Sequence, residues 1–277
     1  MRFRSPGSAA RVELIRASDL RDADGGRGAL CAPQRPRFDL LIEVTAGETT
    51  HRVDFVEHRL AVGDLLWVRS GQVQQWGEPG GWEGRVVLFQ PELVTPASTE
   101  LLRRAGVASR ARWARGSYPA DVSSLLLTLG ELDRAATRCA AAAVEHVLEA
   151  LLLRLCGGDG PSGTAMRGSG PLYERFVRLL DEQGPWIIDR SVEAAAQLLG
   201  CTPKTLTAAV RERSGRTAKQ LIDDRVVLEA KRLLAHLPDL PVREVAEALG
   251  FHDSANFSKF FKRQVGLAPA AFRAGSI

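Results

Sequence analysis

The sequence has little cysteine, and none of it falls in a close pair. Cys31, Cys139, Cys156 and Cys201 are scattered over 277 residues. No two have CxxC or zinc-ribbon spacing, so those metal and redox motifs are excluded. Isolated, reduced and mostly buried thiols are expected. Long apolar runs are also missing. The longest, residues 139 to 156, is interrupted by Glu145, His146, Glu149 and Arg154. A membrane span needs roughly 20 mostly apolar residues. The N-terminus is basic but lacks the apolar core of a signal peptide. The expected location is the cytoplasm, with no membrane partner. Lysine is absent before Lys204, and all five lysines (Lys204, Lys219, Lys231, Lys259, Lys262) follow. Elsewhere arginine alone carries the positive charge.

What is present is the composition of a folded, soluble chain. Apolar residues are 45% and charged residues 25%, which excludes full disorder. The length suggests about two domains. The net charge is only +4, but from Ser254 onward there are four cations (Lys259, Lys262, Arg263, Arg273) and no acid. Such a terminus suits a polyanion such as nucleic acid, although a solvated face would show the same charge.

Three regions separate by pattern. Residues 1–96 read as a small barrel or sandwich: short alternating runs at 38–44, 52–56, 64–69, 73–76 and 84–89, punctuated by Gly47, Gly63, Gly71, Pro79, Gly80 and Gly81. Residues 97–156 switch to helical spacing, with Val122, Leu125, Leu126, Leu129 and Leu132 on one segment. Val144, Val147, Leu148, Leu151, Leu152 and Leu155 mark a second. Residues 157–170, Gly-rich and almost without apolar anchors, read as a flexible linker. Residues 171–277 read as all helical. The predicted fold is therefore α+β, with an N-terminal barrel, a middle helical segment and an all-α C-terminal domain.

The C-terminal region contains an internal repeat. Val192, Ala196, Leu199 and Gly200 recur 50 positions later as Val242, Ala246, Leu249 and Gly250. After a one-residue insertion, Val210, Gly215 and Leu221 correspond to Phe261, Gly266 and Phe272. Each copy has a short apolar-faced helix stopped by a Gly, then a second helix. Thr202 is an N-cap with Pro203 at the first helical position, and Asp253 is the matching cap. This is the plan of a helix-turn-helix, whose second helix enters the major groove and meets base edges near its start. Leu206 and Val210 would face inward in the first copy, and Phe257, Phe260 and Phe261 in the second. That leaves Thr202, Lys204, Thr205, Thr207 and Ala208, and then Ser254, Ala255, Asn256 and Lys259, for DNA. Asn reads adenine, Lys reaches guanine, and Ala or Thr meets a thymine methyl. Lys262 and Arg263 are placed for phosphate. A joining helix from Thr217 to His236 would be roughly 30 Å long, near the separation of about 34 Å between successive major-groove faces. Its inward stripe is expected to be Leu221, Ala230, Leu233, Leu234 and Leu237.

The runs RVVLEAKRLLAH (225–236), VAEALGF (245–251) and SANFSKFFKRQVGLAPAAFR (254–273) resemble the DNA-binding domain of the AraC/XylS family of transcriptional regulators. Phe257, Lys259, Phe261-Lys262, Gly266, Pro269 and Arg273 carry the family's terminal pattern. The resemblance implies base contacts on the two second helices. Several of those positions hold small or neutral residues, so the first unit is expected to rely more on DNA shape and phosphate contacts. It also implies a cupin-like effector or dimerisation domain ahead of the reader, and it favours activation over repression, with RNA polymerase as a further partner.

Residues 51–76 look like a cupin strand pair with Gly63-Asp64 in one turn and Gly71 in the next. Metal-dependent cupins place His where Gln74 stands. His51 and His58 are seven apart, on opposite faces of any single strand, and are expected at the surface or in turns. No metal and no cofactor are expected. Trp67 and Arg69 share one strand face, and Gln74 and Trp76 another. Together with Glu43 they could line a pocket for a small polar effector, or the tryptophans could simply fill the core. The apolar surface of 121–156 suits a homodimer contact, or packing within the chain. The expected function is sequence-specific DNA-binding transcription regulation, not catalysis. Competing readings are a nonspecific structural DNA-binding protein, a cupin enzyme fused to a DNA reader, which lacks a His cluster, and a methyl-acceptor repair protein, which would need an activated Cys.

Overall fold

The computed structural model describes residues 12–23, 28–77, 81–107, 110–135, 137–157, 170–181 and 189–275. All but the two end positions of the expected linker 157–170 lie outside the described residues. The chain divides into two compact units, 1–166 and 167–277. Among the described residues no helix is long and apolar enough to cross a membrane.

The N-terminal unit is built on one strand. β2 (Asp39–Val53) pairs antiparallel with β6 (Trp82–Phe89), β4 (Leu65–Val68), β3 (Val56–Ala61) and β5 (Gln74–Trp76). β1 (Val12–Arg16) extends the sheet beside β6, and β7 (Arg112–Trp113) beside β4. The expected strand at 52–56 is corrected. β2 continues to Val53, and Asp54 (φ 45°) and Phe55 (φ 71°) make the turn into β3. Strands β1 and β7 are additional to the expected runs, and β7 is only two residues long.

A bulge divides β2. Val44 pairs with Gly84 but Ala46 with Glu83, leaving Thr45 as an extra residue. Leu40, Ile42 and Val44 point into the barrel with Val53, Leu60, Trp76 and Trp82. The register then carries Gly47, Thr49, His51 and Val53 to that same inner side. Gly47 has φ +71°, and a Cβ there would lie 1.9 Å from the Gly81 carbonyl oxygen, so only glycine fits.

The other sheet face is covered by helices. Leu41, Leu65, Trp67, Val87 and Phe89 pack against α4 (Asp121–Ala135) and α5 (Arg138–Arg154) through Val122, Leu126, Leu129, Val144, Leu148, Leu151 and Leu152. Most of the apolar surface of 121–156 is therefore buried within the chain, with Leu127 left exposed on α4. α3 (Pro96–Arg104) adds Leu102 to this core, and short helices α1 (Ala17–Ala23) and α2 (Gly28–Cys31) add Ala17, Leu20 and Leu30 to the barrel core. The expectation of buried thiols is corrected. Cys139 is exposed and the other three cysteines are half-buried, all of them free. Cys139 lies in the first turn of α5, ahead of that helix's core-facing positions Val144 and Leu148.

The C-terminal unit consists of α6 (Pro171–Asp181), α7 (Val192–Leu198), α8 (Pro203–Ser214), α9 (Ala218–His236), α10 (Val242–Ala248), α11 (Ser254–Val265) and α12 (Pro269–Ala274). It has two small cores. Phe176, Leu206, Val210, Ile222 and Val226 belong to one, and Ala230, Leu234, Val245, Phe257 and Phe261 to the other. α9 serves both. Its fully buried row is Ala218, Ile222, Val226, Ala230 and Leu234, stepping by four. Leu221 and Leu233 flank that row, but Leu237 is corrected to an exposed position: it is the C-cap, with φ −119° and ψ 73°, where the chain leaves the helix.

Candidate nucleic-acid interface and barrel interior

The two halves of the repeat fold alike. Gly200 (φ +66°) and Gly250 (φ +69°) end the first helices in the left-handed region. The Thr202 hydroxyl accepts from Thr205 N at 3.1 Å and starts α8. The Asp253 carboxylate accepts from Asn256 N at 2.7 Å and starts α11. Gly215 (φ +68°) and Gly266 (φ +83°) end both second helices. Ala218 and Pro269 are then the buried first residues of the helices that follow.

On α8, Lys204, Thr205 and Ala208 are exposed and Thr207 is half-buried. Thr202 is exposed too, but its hydroxyl is committed to the cap and lies 2.8 Å from that of Thr205. On α11, Ala255, Asn256, Lys259, Lys262 and Arg263 are exposed and Ser254 is half-buried. Asn256 Nδ2 donates to Asp253 Oδ2, so its side chain is held against the cap. Phe257 and Phe261 are completely buried and Phe260 partly so, which fixes the exposed face of α11. Arg211 was not singled out from sequence. It is exposed on α8 and lines one groove with Lys204, Thr207 and Ala208. Its spacing of four from Thr207 was the available signal. Arg273, from the same terminal motif, is structural: Nη2 donates to the Leu240 carbonyl at 2.6 Å and ties α12 to the loop before α10.

The joining helix α9 has 19 residues and begins with a capping box between Thr217 and Gln220. At about 1.5 Å per residue it is roughly 28 Å long. It joins the end of the first reading unit to the start of the second, and its length is comparable with one turn of B-DNA.

The five barrel candidates fall into two groups, one on each face of the sheet. Glu43, Trp67 and Arg69 face the helices. Glu43 pairs with Arg85 and accepts from Ser123 Oγ at 2.8 Å. Trp67 Nε1 donates to Asp39 Oδ2 at 2.8 Å. Arg69 sits over the Trp67 ring at 4.5 Å and donates to the carbonyls of Val107 and Arg110. Burial pushes the Asp39 carboxyl up to about 6, against the hydrogen bonds from Ser70 and Trp67.

Gln74 and Trp76 lie in the barrel interior with a residue expected elsewhere. His51 is corrected from surface to core: it is 1% exposed, because the bulge turns it inward. Directly opposite is His58 on β3, half-buried and on the same side of the strand pair. The reading that the two point to opposite faces fails because they stand on different strands. His51 Nε2 lies 2.9 Å from Gln74 Oε1, and Gln74 Nε2 donates to Gln34 Oε1 at 3.4 Å. That network puts the proton on His51 Nε2 and leaves Nδ1 as a buried acceptor without a hydrogen-bond partner. The Trp76 ring stands edge-on to His51 at 4.5 Å, and its Nε1 is a buried donor, also unpartnered. Burial drives the His51 value down to about 3, so the ring is neutral. Among the described residues no group of three or more His, Cys, Asp or Glu is arranged to hold a metal.

Two capped recognition helices on one connecting helix, preceded by a small barrel, define a DNA-binding regulator of transcription. Two family models match the chain. An AraC-like ligand binding domain covers residues 23–156 and a helix-turn-helix domain covers 195–275. The transcriptional activator RhaR of Enterobacter sp. (strain 638) is 36% identical over 279 residues, covering 94% of this chain and 96% of that protein. RhaR of Escherichia coli O139:H28 is 21% identical, covering 85% and 84%. The crystal structure of ToxT from Vibrio cholerae O395 aligns over 95% of this chain and 96% of that one, at 10% identity and a TM-score of 0.41. The chain belongs to the AraC-type family of transcription regulators.

Proposed function

We propose that the chain is a cytoplasmic transcription activator that reads two DNA boxes one helical turn apart, under control of a small molecule held by the N-terminal barrel. The observation that carries the DNA reading is the pair of second helices with exposed cations, Lys204 on α8 and Lys259, Lys262 and Arg263 on α11, in the two units joined by one 19-residue helix. Lys204, Thr205, Thr207 and Ala208 in the first unit, and Ser254, Ala255, Asn256 and Lys259 in the second, face the bases. Lys262 and Arg263 meet phosphate. The activator relatives support the sign of regulation, with RNA polymerase as the partner. No catalytic step is assigned to any residue.

The effector reading centres on Gln74 and Trp76, joined by His51. A buried acceptor (His51 Nδ1) beside a buried donor (Trp76 Nε1) suits a hydroxyl group, which can satisfy both. Glu43, Trp67 and Arg69 then shape the sheet from behind. A homodimer would use the exposed side of α4 at Leu127.

Selection from a random DNA pool by the full chain, at near-physiological salt, tests the reader. Enrichment of two short boxes about one turn, or about 10 base pairs, apart is expected. No enriched sequence, with binding that vanishes as salt rises, would leave only a nonspecific DNA binder.

A further inference from the structure

We infer that Arg190 is a positioning residue for DNA recognition: it clasps the first reading unit to the turn of the second and fixes the spacing of the two recognition helices. Arg190 directly precedes Ser191, the N-cap of α7. Its guanidinium carbon lies 3.4 Å from the centre of the Phe251 ring, and Nη2 donates to the Gly250 carbonyl at 3.1 Å. Gly250 and Phe251 form the turn between α10 and α11. The carbonyl of Arg190 accepts from Lys219 Nζ at 3.2 Å, in the first turn of α9, and Lys219 is held by Asp223 at 2.8 Å. One residue thus ties the entry of the first unit, the joining helix and the turn of the second unit.

Phe251 is the ring that belongs to both cores, packing on the first with Phe260 at 5.3 Å and on the second with Phe257 at 5.2 Å. The Arg190 guanidinium is turned onto that ring, and its Nη1 is buried. It is therefore directed into the joint between the units. The clasp itself borders an open cleft whose other walls include Ser191, Glu193, Asp223 and His252.

The lever arm explains why a joint is needed. A bend of about 10° in a helix of roughly 28 Å moves the far unit by roughly 5 Å, more than the rise of about 3.4 Å per base pair. α9 alone would let the second unit sample neighbouring registers. A planar cation stacked on Phe251 and bonded to its neighbour's carbonyl resists that bend.

The inference rests on the two-box reading, and a single-box duplex separates the two. The full chain, its R190A and R190K forms, and an F251L form would be titrated with four duplexes. These are the selected two-box site, the same site with one base pair inserted or removed between the boxes, and one box alone. The unmodified chain is expected to lose about tenfold in affinity on either shifted site. R190A and R190K should bind shifted and unshifted sites within about twofold of each other, with single-box affinity unchanged, because Lys lacks the stacking plane. F251L keeps the apolar filling but not the ring, and covers the case in which R190A fails to fold. Retention of the spacing preference in R190A and F251L overturns the inference. So does an equal loss on all four duplexes, which marks a phosphate contact. Absence of any spacing preference in the unmodified chain overturns the two-box reading itself.

Discussion

Replacing His51 by Gln should blunt the acid response of the N-terminal unit. His51 is buried and neutral, and its folded value of about 3 lies below the ordinary 6.5. As pH falls, the unfolded chain takes up that proton first, so stability is lost through the window from 6.5 down to about 3. Asp39 acts in the opposite sense. Its folded value of about 6 lies above the ordinary 3.8, so the folded protein holds more protons between these values and gains stability as pH falls. From about pH 7 to about pH 5 the His51 loss comes to about 2 kcal/mol and the Asp39 gain to about 1 kcal/mol. The half-buried His58, depressed by desolvation and by Arg112, adds to the loss. Gln74, Trp76 and His58 face His51, while Trp67, Ser70, Arg69 and Glu92 surround Asp39. Urea unfolding followed by tryptophan fluorescence, with Trp186 of the other unit replaced by Phe in every form, reads this unit, since Trp67, Trp76, Trp82 and Trp113 all lie in it. The unmodified chain should soften modestly on acidification. H51Q should soften less or stiffen, with a slope differing by about 2 kcal/mol over that range, and D39N should soften more. Slopes decide the outcome, because either substitution also shifts the absolute stability. Parallel curves for the unmodified chain and H51Q would refute a buried neutral histidine in the barrel.

Other expectations are more local. Lys259→Ala should weaken binding by about 1–3 kcal/mol and relax base preference at one position, whereas Lys262→Ala should weaken all sequences alike and reduce the salt slope by about one; affinity against salt on matched and mismatched sites distinguishes them. Gly266→Ala meets no atom within 4 Å and should lower stability only by its left-handed backbone, about 1–2 kcal/mol in a thermal melt. Gly84→Ala should do far more damage, since its Cβ would stand 2.2 Å from the Glu43 carbonyl oxygen and 2.6 Å from the Trp82 ring. Phe257→Ala, at a fully buried position, should remove about 3–5 kcal/mol from the C-terminal unit. Two-box binding should go with it, while the tryptophan-monitored transition of the N-terminal unit stays in place.

The C-terminal unit was legible because its signals are local. Caps at Thr202 and Asp253, left-handed glycines at 200, 215, 250 and 266, and apolar residues at helical spacing each act within a few positions. The repeat then made each half a check on the other. The barrel is legible as a class but not in detail, because strand partners lie far apart in sequence. Whether Trp67 or Trp76 faces the barrel depends on which sheet face the helices cover, and no short window records that. The inward position of His51 is hidden from the sequence for a related reason: a single extra residue at Thr45 reverses the parity on which any reading by alternation rests. The Arg190 contact with Phe251 spans about sixty positions, so it too could only be seen in the folded chain.

The same extra residue governs what changes of length β2 can survive. Leu40, Ile42 and Val44 before Thr45, and His51 and Val53 after it, share the inner side only because Val44 and His51 are separated by one residue more than regular alternation allows. Deleting Thr45 would straighten the strand and still leave every one of these side chains facing inward. A deletion elsewhere between Asp39 and Val53 would keep the irregularity and turn one flank inside out, exposing leucines and isoleucine on one side of the cut or His51 on the other. Thr45 is thus the position at which this central strand can lose a residue and keep both of its faces.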